Sequence, residues 1–454
     1  MSRRSSPEPA TILPGVDDGR SVMRRAPFSD NPQVGARGQR TQQRIVDAAL
    51  RVFGEEGYHQ CGVARITKLA GCSRVSFYQY FAGKEDVFRH LTGQVARQLG
   101  ASTEALGTLT PDVEGWTAIR AWVARYADIH ERYRPVFQAF QAAAESDEAV
   151  AGGSARAGER DVAAIRSKLA TTTLPARQLD PVIALLLECV PRAFENAIVL
   201  RSAAPEAYPP ARVEDALADV VHRSLFGPRA DVNVHPPAAR RPPALEFGPV
   251  MRAALQQDDV PPALNAAGRR ALEALMEAGR DMFVARGYHG ARVDDIVTAA
   301  GVSHGAFYHY FESKDQFAEV LAARAVRRVA TAFADIPDSA GPEGPASRAA
   351  LRRWLRRYNA AYATEAAMIR VWADALFQHP TLSADSAAAL DWGRRRMARF
   401  LAPREFGDVD TEAVVMVALL SVFGAQGRAT PAIDATTHII ERGLLGQWPA
   451  SSNI

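Results

Sequence analysis

The side chains that most often carry catalysis or bind metals are scattered along this sequence. Its ten histidines form no H-E-x-x-H pair, and the chain has no G-x-S-x-G elbow and no glycine-rich phosphate loop. His59 and His289 each follow a Gly-Tyr pair, and we interpret them as part of a turn. Cys61, Cys72 and Cys189 lack the spacing of a zinc site or a disulfide framework. The sequence therefore predicts that the protein is not an enzyme and has no metal and no cofactor.

A denser set of aromatic, glycine and basic residues occurs twice. The segment from Phe53 to Glu85 returns from Phe283 to Asp315, 230 residues further on and without a gap. The recurring residues include Phe53, Gly57, Tyr58, His59, Val63, Ile66, Ala70, Gly71, Ser73, Phe77, Tyr78, Tyr80, Phe81 and Lys84, which return as Phe283, Gly287, Tyr288, His289, Val293, Ile296, Ala300, Gly301, Ser303, Phe307, Tyr308, Tyr310, Phe311 and Lys314. Such a match indicates an internal duplication.

Glycines divide each repeated segment into three short helices. Glycine readily takes the left-handed conformation of a helix C-cap, and it follows the first and the second helix in both copies, as Gly57, Gly71, Gly287 and Gly301. Ser73 and Ser303 stand where the third helix needs an N-cap. A helix over 63–70, a short turn and a helix opening at Ser73 have helix-turn-helix geometry, which presents the N-terminal residues of the second of these helices to the major groove of DNA.

Both copies contain the pattern G-Y-x-x-x-x-V-x-x-I-x-x-x-A-G-x-S-x-x-x-F-Y-x-Y-F-x-x-K-[ED]. It resembles the DNA-binding domain of the TetR family of bacterial transcriptional regulators. The resemblance implies an all-α fold with two copies of a three-helix helix-turn-helix domain, each followed by a larger helical ligand-binding and dimerisation domain. Gly62 and Arg292 depart from the family pattern, which usually has Ser or Thr at the start of the second helix.

The resemblance assigns roles to residues of both third helices. Base contacts fall to Arg74, Val75, Ser76 and Gln79 in the first copy and to His304, Gly305, Ala306 and His309 in the second. Phosphate contacts fall to Tyr78, Tyr80 and Lys84, and to Tyr308, Tyr310 and Lys314. Arginine can bind guanine and glutamine adenine through two hydrogen bonds, whereas lysine and tyrosine suit phosphate oxygens. A structural role stays open for these tyrosines, as aromatic residues closing a small domain, and for the lysines, as solvated charges.

The two repeated blocks differ in charge. Residues 37–91 contain nine Lys and Arg against five Asp and Glu, a net charge of +4, and residues 266–321 contain six against eight, a net charge of −2. Asp294 and Asp295 replace Ala64 and Arg65 near the start of the second helix. Because phosphate neutralisation supplies much of the affinity for DNA, we expect the second copy to bind DNA more weakly. The alternative is a second copy that has lost DNA binding and acts as an interaction or ligand-binding module.

Aromatic residues at helical spacing mark the larger domains. They are Trp122, Tyr126, Phe137 and Phe140 in the first copy and Trp354, Tyr358, Tyr362 and Trp372 in the second. Core packing is the default interpretation of such a stripe, and the alternative is an apolar pocket between bundled helices. If a ligand binds there, we expect it to be small and apolar or aromatic.

Apolar helices near the end of each copy resemble those that build a four-helix dimer interface in the family. They cover residues 180–200 and 213–225, and then 411–426 and 433–445. Two such pairs stand in one chain, and a 38-residue linker joins the copies. We therefore predict that one chain folds back into a pseudo-symmetric dimer, because tethering raises the effective concentration of the two copies. A homodimer of chains is the alternative.

Composition sets the domain boundaries. We expect a disordered tail over 1–36, the first helix-turn-helix domain over 37–91, its larger domain over 92–227, a Pro-rich linker over 228–265, the second helix-turn-helix domain over 266–321, its larger domain over 322–447 and a tail over 448–454. The longest mainly apolar stretch, 413–427, is shorter than the roughly 20 residues that span a bilayer. We predict a cytoplasmic transcriptional regulator that does not contact membranes; in this family such regulators are most often repressors. It would bind a double-stranded DNA operator and release it when a ligand changes the separation of the two helix-turn-helix domains.

Overall fold

The computed structural model describes residues 35–172, 174–228, 232, 242–256, 264–337, 348–375, 380–404, 406–425 and 430–447. Over these residues the fold is all-α, as the sequence predicts, apart from an isolated β-bridge between Leu109 and Leu169. Nearly all of the predicted N-terminal tail, all of the C-terminal tail and much of the predicted linker lie outside the described residues.

The helices follow the duplication. Those of the first copy are α1 (Ala36–Glu56), α2 (Val63–Ala70), α3 (Arg74–Tyr80), α4 (Lys84–Glu104), α5 (Val113–Arg132), α6 (Arg134–Ser146), α7 (Glu148–Lys168), α8 (Ala176–Ala203) and α9 (Pro210–Phe226). Helix α10 (Pro249–Gln256) lies between the copies. Those of the second copy are α11 (Ala266–Gly290), α12 (Val293–Ala300), α13 (His304–Tyr310), α14 (Lys314–Ala334), α15 (Arg348–Ala375), α16 (Pro380–Leu401), α17 (Val409–Ala425) and α18 (Thr430–His438), which continues as a π-helical turn, Ile439–Leu444.

The chain divides into two compact units, with the boundary between Phe88 and Arg89. The first unit holds the first helix-turn-helix domain, which we call head 1 (residues 36–88). The second unit holds both larger domains together with the second helix-turn-helix domain, head 2 (residues 266–321).

Head 1 is built on an apolar stripe of α1. The buried residues of this helix are Ile45, Val46, Ala48, Ala49, Val52 and Phe53, and their spacing places them on one face. The helix ends at Gly57, whose φ of 78° few other residues adopt. Gly287 stands at the same place in head 2 with a φ of 67° and interrupts α11 there.

The segment between the copies contains a helix that its prolines did not predict. Helix α10 begins at Pro249, and proline is tolerated in a first turn because the N–H groups there have no partner within the helix. Met251 of α10 is fully buried in the core of head 2. Just before α10, the backbone N–H of Leu245 donates to Asp391 Oδ2 at 2.9 Å, and that of Gly248 donates to Asp385 Oδ1 at 2.6 Å. Residues 242–256, which we call the strap, therefore dock onto the second copy.

Helices α8 and α9 of the first copy pack against α17, α18 and the π-helical turn of the second. Apolar side chains of both copies form one buried cluster, which includes Val190 and Leu225 from the first copy and Leu419 and Ile440 from the second. The two copies therefore share a core, and the interface helices expected from the sequence lie in it.

Ion pairs also join the two copies. Arg212 of α9 pairs with Asp408, which precedes α17, and Arg212 Nη2 lies 2.8 Å from Asp408 Oδ1. Arg223 of α9 pairs with Glu412 of α17, and both of these side chains are fully buried. Arg404 Nη1 also donates to Glu412 Oε2, at 2.6 Å. In these two cross-copy pairs the cations belong to the first copy and the anions to the second, and Asp219 of the first copy also lies 3.6 Å from Arg223.

Candidate nucleic-acid interface

The turn before the third helix has the same construction in both heads. Gly71 and Gly301 end the second helix in the left-handed conformation, with φ of 61° and 66°. The hydroxyl of Ser73 then accepts from the N–H of Ser76 at 3.0 Å, and that of Ser303 accepts from the N–H of Ala306 at 3.2 Å. These caps fix where α3 and α13 begin.

Phenylalanines anchor one face of each third helix. Phe77 of α3 and Phe307 of α13 are fully buried, and each is followed four residues later by a second buried phenylalanine, Phe81 or Phe311. The ring centroids within these pairs are 6.0 and 5.5 Å apart. The inner face of each helix is thus fixed in the core of its head, and the opposite face is left to solvent.

The solvent face of α3 carries the residues predicted to contact bases. Arg74, Val75 and Gln79 are exposed and Ser76 is half-buried. Val75 is 72% exposed. The methyl groups of Val75 are available for apolar contact, and the guanidinium of Arg74 and the amide of Gln79 are of the types that bind base edges.

The solvent face of α13 has different chemistry. His304, Gly305 and His309 are exposed and Ala306 is half-buried. His304 Nε2 contacts the carboxylate of Asp294 on α12, and its ring stacks on Tyr308 with centroids 6.2 Å apart. A carboxylate therefore occupies one nitrogen of the first residue of α13, a feature that has no counterpart in head 1, where Ala64 stands at the position of Asp294.

A salt bridge beside the second helix is inverted between the heads. In head 1, Arg65 Nε donates to Glu56 Oε1 at 2.6 Å, and in head 2, Arg286 Nη1 donates to Asp295 Oδ2 at 2.7 Å. Each residue occupies the position of its opposite charge in the other copy. The exchange of Arg65 for Asp295 is therefore matched by the opposite exchange of Glu56 for Arg286, whereas the added Asp294 contacts His304.

The lysine that opens α4 is directed into head 1. Lys84 Nζ donates to three backbone carbonyl oxygens, those of Tyr58, His59 and Cys61, at 2.9, 3.1 and 3.3 Å. It also lies 4.9 Å from the centre of the Tyr58 ring. The ammonium thus ties the start of α4 to the turn after α1.

Lys314 repeats this arrangement in head 2. Its Nζ donates to the carbonyl oxygens of Tyr288 and Ala291 at 3.0 and 3.3 Å and lies 4.3 Å from the Tyr288 ring. Burial lowers the pKa of Lys314. The contacts at both lysines give them a structural role, and phosphate binding by Lys84 and Lys314 stays a prediction.

The four tyrosines predicted to bind phosphate fall into two pairs. Tyr78 and Tyr308 are exposed, at 46% and 57%. Tyr80 is buried, and the hydroxyl of Tyr310 donates to the carbonyl oxygen of Gly268 at 3.1 Å. Tyr78 and Tyr308 are therefore placed to reach a phosphate, whereas Tyr80 and Tyr310 pack within their heads.

The aromatic residues predicted for a ligand pocket lie mostly within packed helices. Trp122, Tyr126, Trp354 and Tyr358 are buried in the core that the two copies share, and Phe137, Phe140 and Tyr362 are half-buried. The indole N–H of Trp354 donates to the carbonyl oxygen of Ala332 at 2.8 Å. Trp372 belongs to α15, but its side chain lies outside the described part of the structure. For the buried residues this packing agrees with the core interpretation.

The described residues show neither a metal-binding cluster nor a membrane-spanning helix. They contain no group of three or more His, Cys, Asp or Glu side chains that could hold a metal ion. None of the helices in this part of the chain is long and apolar enough to cross a membrane.

The chain has two helix-turn-helix heads, and the third helix of each has a buried inner face and an exposed outer face. This construction places the chain among the helix-turn-helix proteins. The family model described as "Bacterial regulatory proteins, tetR family" matches residues 45–91 and 275–321, one segment in each head. Each copy of the chain therefore contains a segment that matches the helix-turn-helix domain of this family, and the two segments stand in tandem.

Relatives of known name are similar over part of their length. A "Fatty acid metabolism regulator protein" of Bacillus subtilis is 40% identical over 60 residues, 12% of this chain and 31% of that protein. The "HTH-type transcriptional repressor DhaR" of a Mycobacterium species is 51% identical over 43 residues, 10% of this chain and 22% of that protein. The "Transcriptional regulator AcuR" of Cereibacter sphaeroides is 32% identical over 110 residues, 22% of this chain and 48% of that protein. In each case less than half of the relative is matched.

Proposed function

We propose that the protein is a sequence-specific DNA-binding transcriptional regulator that reads one operator with two unlike heads. The observation that carries this proposal is the exposed face of α3, where Arg74, Val75 and Gln79 stand clear of a helix whose inner face is fixed by Phe77. Side chains with this combination of hydrogen-bonding groups and methyl groups can distinguish base pairs in the major groove. The relatives named as transcriptional regulators and repressors support the same role.

Head 2 contributes a weaker and different contact. His304 and His309 replace Arg74 and Gln79, and the carboxylate of Asp294 beside His304 repels phosphates. Tyr78 in head 1 and Tyr308 in head 2 contact phosphates through their hydroxyl groups. The operator is therefore an imperfect palindrome, with half-sites about one helical turn or a multiple apart so that both heads meet the same face of the duplex.

The functional molecule is a single chain whose two copies act as the halves of a dimer. The packing of α8 and α9 on α17 and α18, with the pairs Arg212–Asp408 and Arg223–Glu412, supports this arrangement. Light scattering of the free and DNA-bound protein tests it. The expected protein mass is that of one chain, 49.2 kDa, and twice that mass in both states, with a symmetric operator, would contradict it.

The assignment of base contacts is tested by selecting bound DNA from a random pool and then measuring variants on the selected site. Arg74→Ala should cost roughly 1 to 3 kcal/mol of binding free energy and relax the preference at one base pair. Arg51→Ala is the control, because Arg51 is also an exposed arginine of head 1 but lies on α1. A loss from Arg51→Ala equal to that from Arg74→Ala, without a change in sequence preference, would contradict the assignment.

A second candidate function follows from the contact between Asp294 and His304. In it, head 2 does not bind DNA and serves as an interaction or ligand-binding module. The variants His304→Ala and Asp294→Asn separate the two candidates. If head 2 reads DNA, His304→Ala alters the preference in one half-site and Asp294→Asn strengthens binding, with a steeper dependence on salt. If neither variant changes the selected site or its affinity, the second candidate is correct.

We also propose that the protein is a cytoplasmic repressor whose binding to DNA is controlled by a small ligand. The two heads and the ligand would then be linked through one conformational equilibrium, so ligand and DNA would alter each other's affinity by the same factor.

A further inference from the structure

A cleft of about 430 Å³ opens in the second larger domain, between the last turn of α14 and one face of α16. It is lined by Ala334, Trp392, Arg395, Arg396 and Arg399. The last four follow the spacing i, i+3, i+4 and i+7, which brings their side chains to one side of α16. The volume lies in the range of small-molecule sites. One helix thus lines this space with an indole ring and the side chains of three arginines, and carbon atoms make up most of the exposed wall.

Few of these positive charges are neutralised within the described residues. Arg395 lies 3.1 Å from Asp391 Oδ2, but the same carboxylate pairs with the buried Arg394 at 2.9 Å. Arg396 Nη2 donates to a neutral group, the carbonyl oxygen of Ala334, at 2.6 Å. Arg399 is exposed. One shared carboxylate therefore stands against the three guanidinium groups that line the cleft.

A hydrogen-bond donor in the cleft also lacks an acceptor. Arg396 Nε is buried, and no described residue accepts a hydrogen bond from it. Buried donors are almost always satisfied, and a ligand oxygen is one way to satisfy this one. The indole of Trp392 is half-buried, with its ring centre 6.1 Å from that of Phe333, so it offers a flat apolar wall beside the guanidinium groups.

We propose that this cleft binds a small carboxylate with a planar apolar body. The carboxylate lies between Arg396 and Arg399, because guanidinium groups bind planar oxyanions through paired hydrogen bonds. The apolar body lies against Trp392. This class differs from the uncharged ligand that the aromatic stripe of the larger domains suggests, and the site uses none of the residues of that stripe.

The site also touches the contacts that hold head 2. Helix α14 begins in head 2, where Phe317 and Leu321 are part of its core, and it ends at the Ala334 carbonyl that Arg396 holds. Asp391, which pairs with Arg395, also accepts from the N–H of Leu245 in the strap. A carboxylate held between Arg396 and Arg399 draws Arg396 away from the Ala334 carbonyl and so loosens the end of α14. Ligand binding would thereby change how head 2 is held, an effect that rests on the proposed DNA-binding function.

Calorimetry on the full chain without DNA tests the site itself. The probes are naphthalene-2-carboxylate, its neutral amide and inorganic phosphate. We expect the carboxylate to bind about tenfold or more tightly than the amide, since a charge-assisted pair to arginine is lost in the amide. We expect it to bind more tightly than phosphate, which lacks the apolar body. Equal binding of carboxylate and amide would overturn the anion site, and equal binding of carboxylate and phosphate would overturn the planar apolar class.

Two arginine variants make the test specific. Arg399→Met removes an exposed arginine side chain from the cleft. It should weaken binding of the carboxylate about tenfold, with little effect on folding. Arg357→Met removes an exposed arginine of α15 outside the cleft and should leave the affinity unchanged. Equal affinities in the two variants would overturn the proposed site, provided that their thermal unfolding matches that of the parent protein.

A second readout addresses the coupling to head 2. The carboxylate should change the dissociation constant for the selected operator in the parent protein and not in Arg399→Met. Carboxylate binding that leaves the operator affinity unchanged would overturn the coupling and leave the site intact. A chain that binds the carboxylate but no DNA would refute the proposed function without refuting the site.

Discussion

The buried pair Arg223–Glu412 is the sharpest place to test how the two copies are held together. Both side chains are fully buried, and Arg404, the second cation on Glu412, is 3% exposed. The substitution Glu412→Gln removes the carboxylate while keeping the shape of the side chain. It leaves two guanidinium groups in the core with no charge from Glu412 opposite them.

The expected cost is large because Arg404 loses the carboxylate it donates to, and Arg223 keeps the more distant carboxylate of Asp219, 3.6 Å from its Nη1. Breaking such a pair from one side costs about 3 to 5 kcal/mol. The matched control is Glu246→Gln, which makes the same chemical change in the pair Arg252–Glu246, at 3.1 Å, where the side chains are 51% and 80% exposed. An exposed pair is worth about 0 to 1 kcal/mol. The two variants should therefore differ by at least about 2 kcal/mol.

Urea unfolding followed by tryptophan fluorescence and circular dichroism measures this difference, and light scattering reports whether the substitution changes the mass of the protein in solution. Arg223→Gln combined with Glu412→Gln should cost less than the sum of the two single changes, because the two groups interact directly. If Glu412→Gln destabilises the protein no more than Glu246→Gln does, the pair does not hold the copies together and the reasoning fails.

Three further predictions concern contacts within and between the copies. Burial lowers the pKa of His438 to about 4, and its Nε2 lies 2.9 Å from the carbonyl oxygen of Ser224. As the pH drops, the unfolded chain therefore takes up the proton first, and the free energy of unfolding should fall between about pH 6.5 and about pH 4. In His438→Gln the free energy of unfolding should change less with pH over this range. An unchanged dependence on pH would assign the effect to another group. A Cβ on Gly443 would lie 2.2 Å from Ser224 Oγ and 3.0 Å from the Val220 carbonyl oxygen, so Gly443→Ala should lower the unfolding temperature. Adding Ser224→Gly should restore part of the loss. If it restores nothing, the close crossing of α9 and the π-helical turn is not the cause. Lys84→Met should lower the thermal stability of head 1 and weaken its binding to specific and non-specific DNA alike. An unchanged stability, with DNA binding that depends less steeply on salt concentration, would instead favour a direct contact between Lys84 and a phosphate.

The local elements of both heads could be predicted from the sequence. The stripe at Ile45 and Phe53, the left-handed Gly71 and the Ser73 cap depend on residues within about ten positions of one another, and the structure has them as expected. The same holds for Gly301 and Ser303 in head 2. Local spacing fixes these features because helix periodicity and capping involve neighbouring residues alone.

The tertiary structure decided the contacts between residues that are far apart in the sequence. Lys84 meets the carbonyls of residues 23 to 26 positions earlier, and Arg223 meets Glu412 at a separation of 189. No periodicity encodes such distances, so the sequence left the lysine open between a solvated charge and a phosphate contact. The aromatic stripes were likewise open between core and pocket until the packing of the two copies buried Trp122 and Trp354.

The arginines of α16 follow the same division. Their spacing at 395, 396 and 399 is visible in the sequence, but a basic helix face is usually solvated, and nothing local distinguishes it from a binding site. Only the approach of α14 to α16 turns that face into the wall of a cleft, and only the strap brings Leu245 to Asp391, 146 residues away. The sequence determined which helices form and which faces they present; the tertiary structure decided which faces meet, because that depends on the shape and charge of surfaces far apart in the chain.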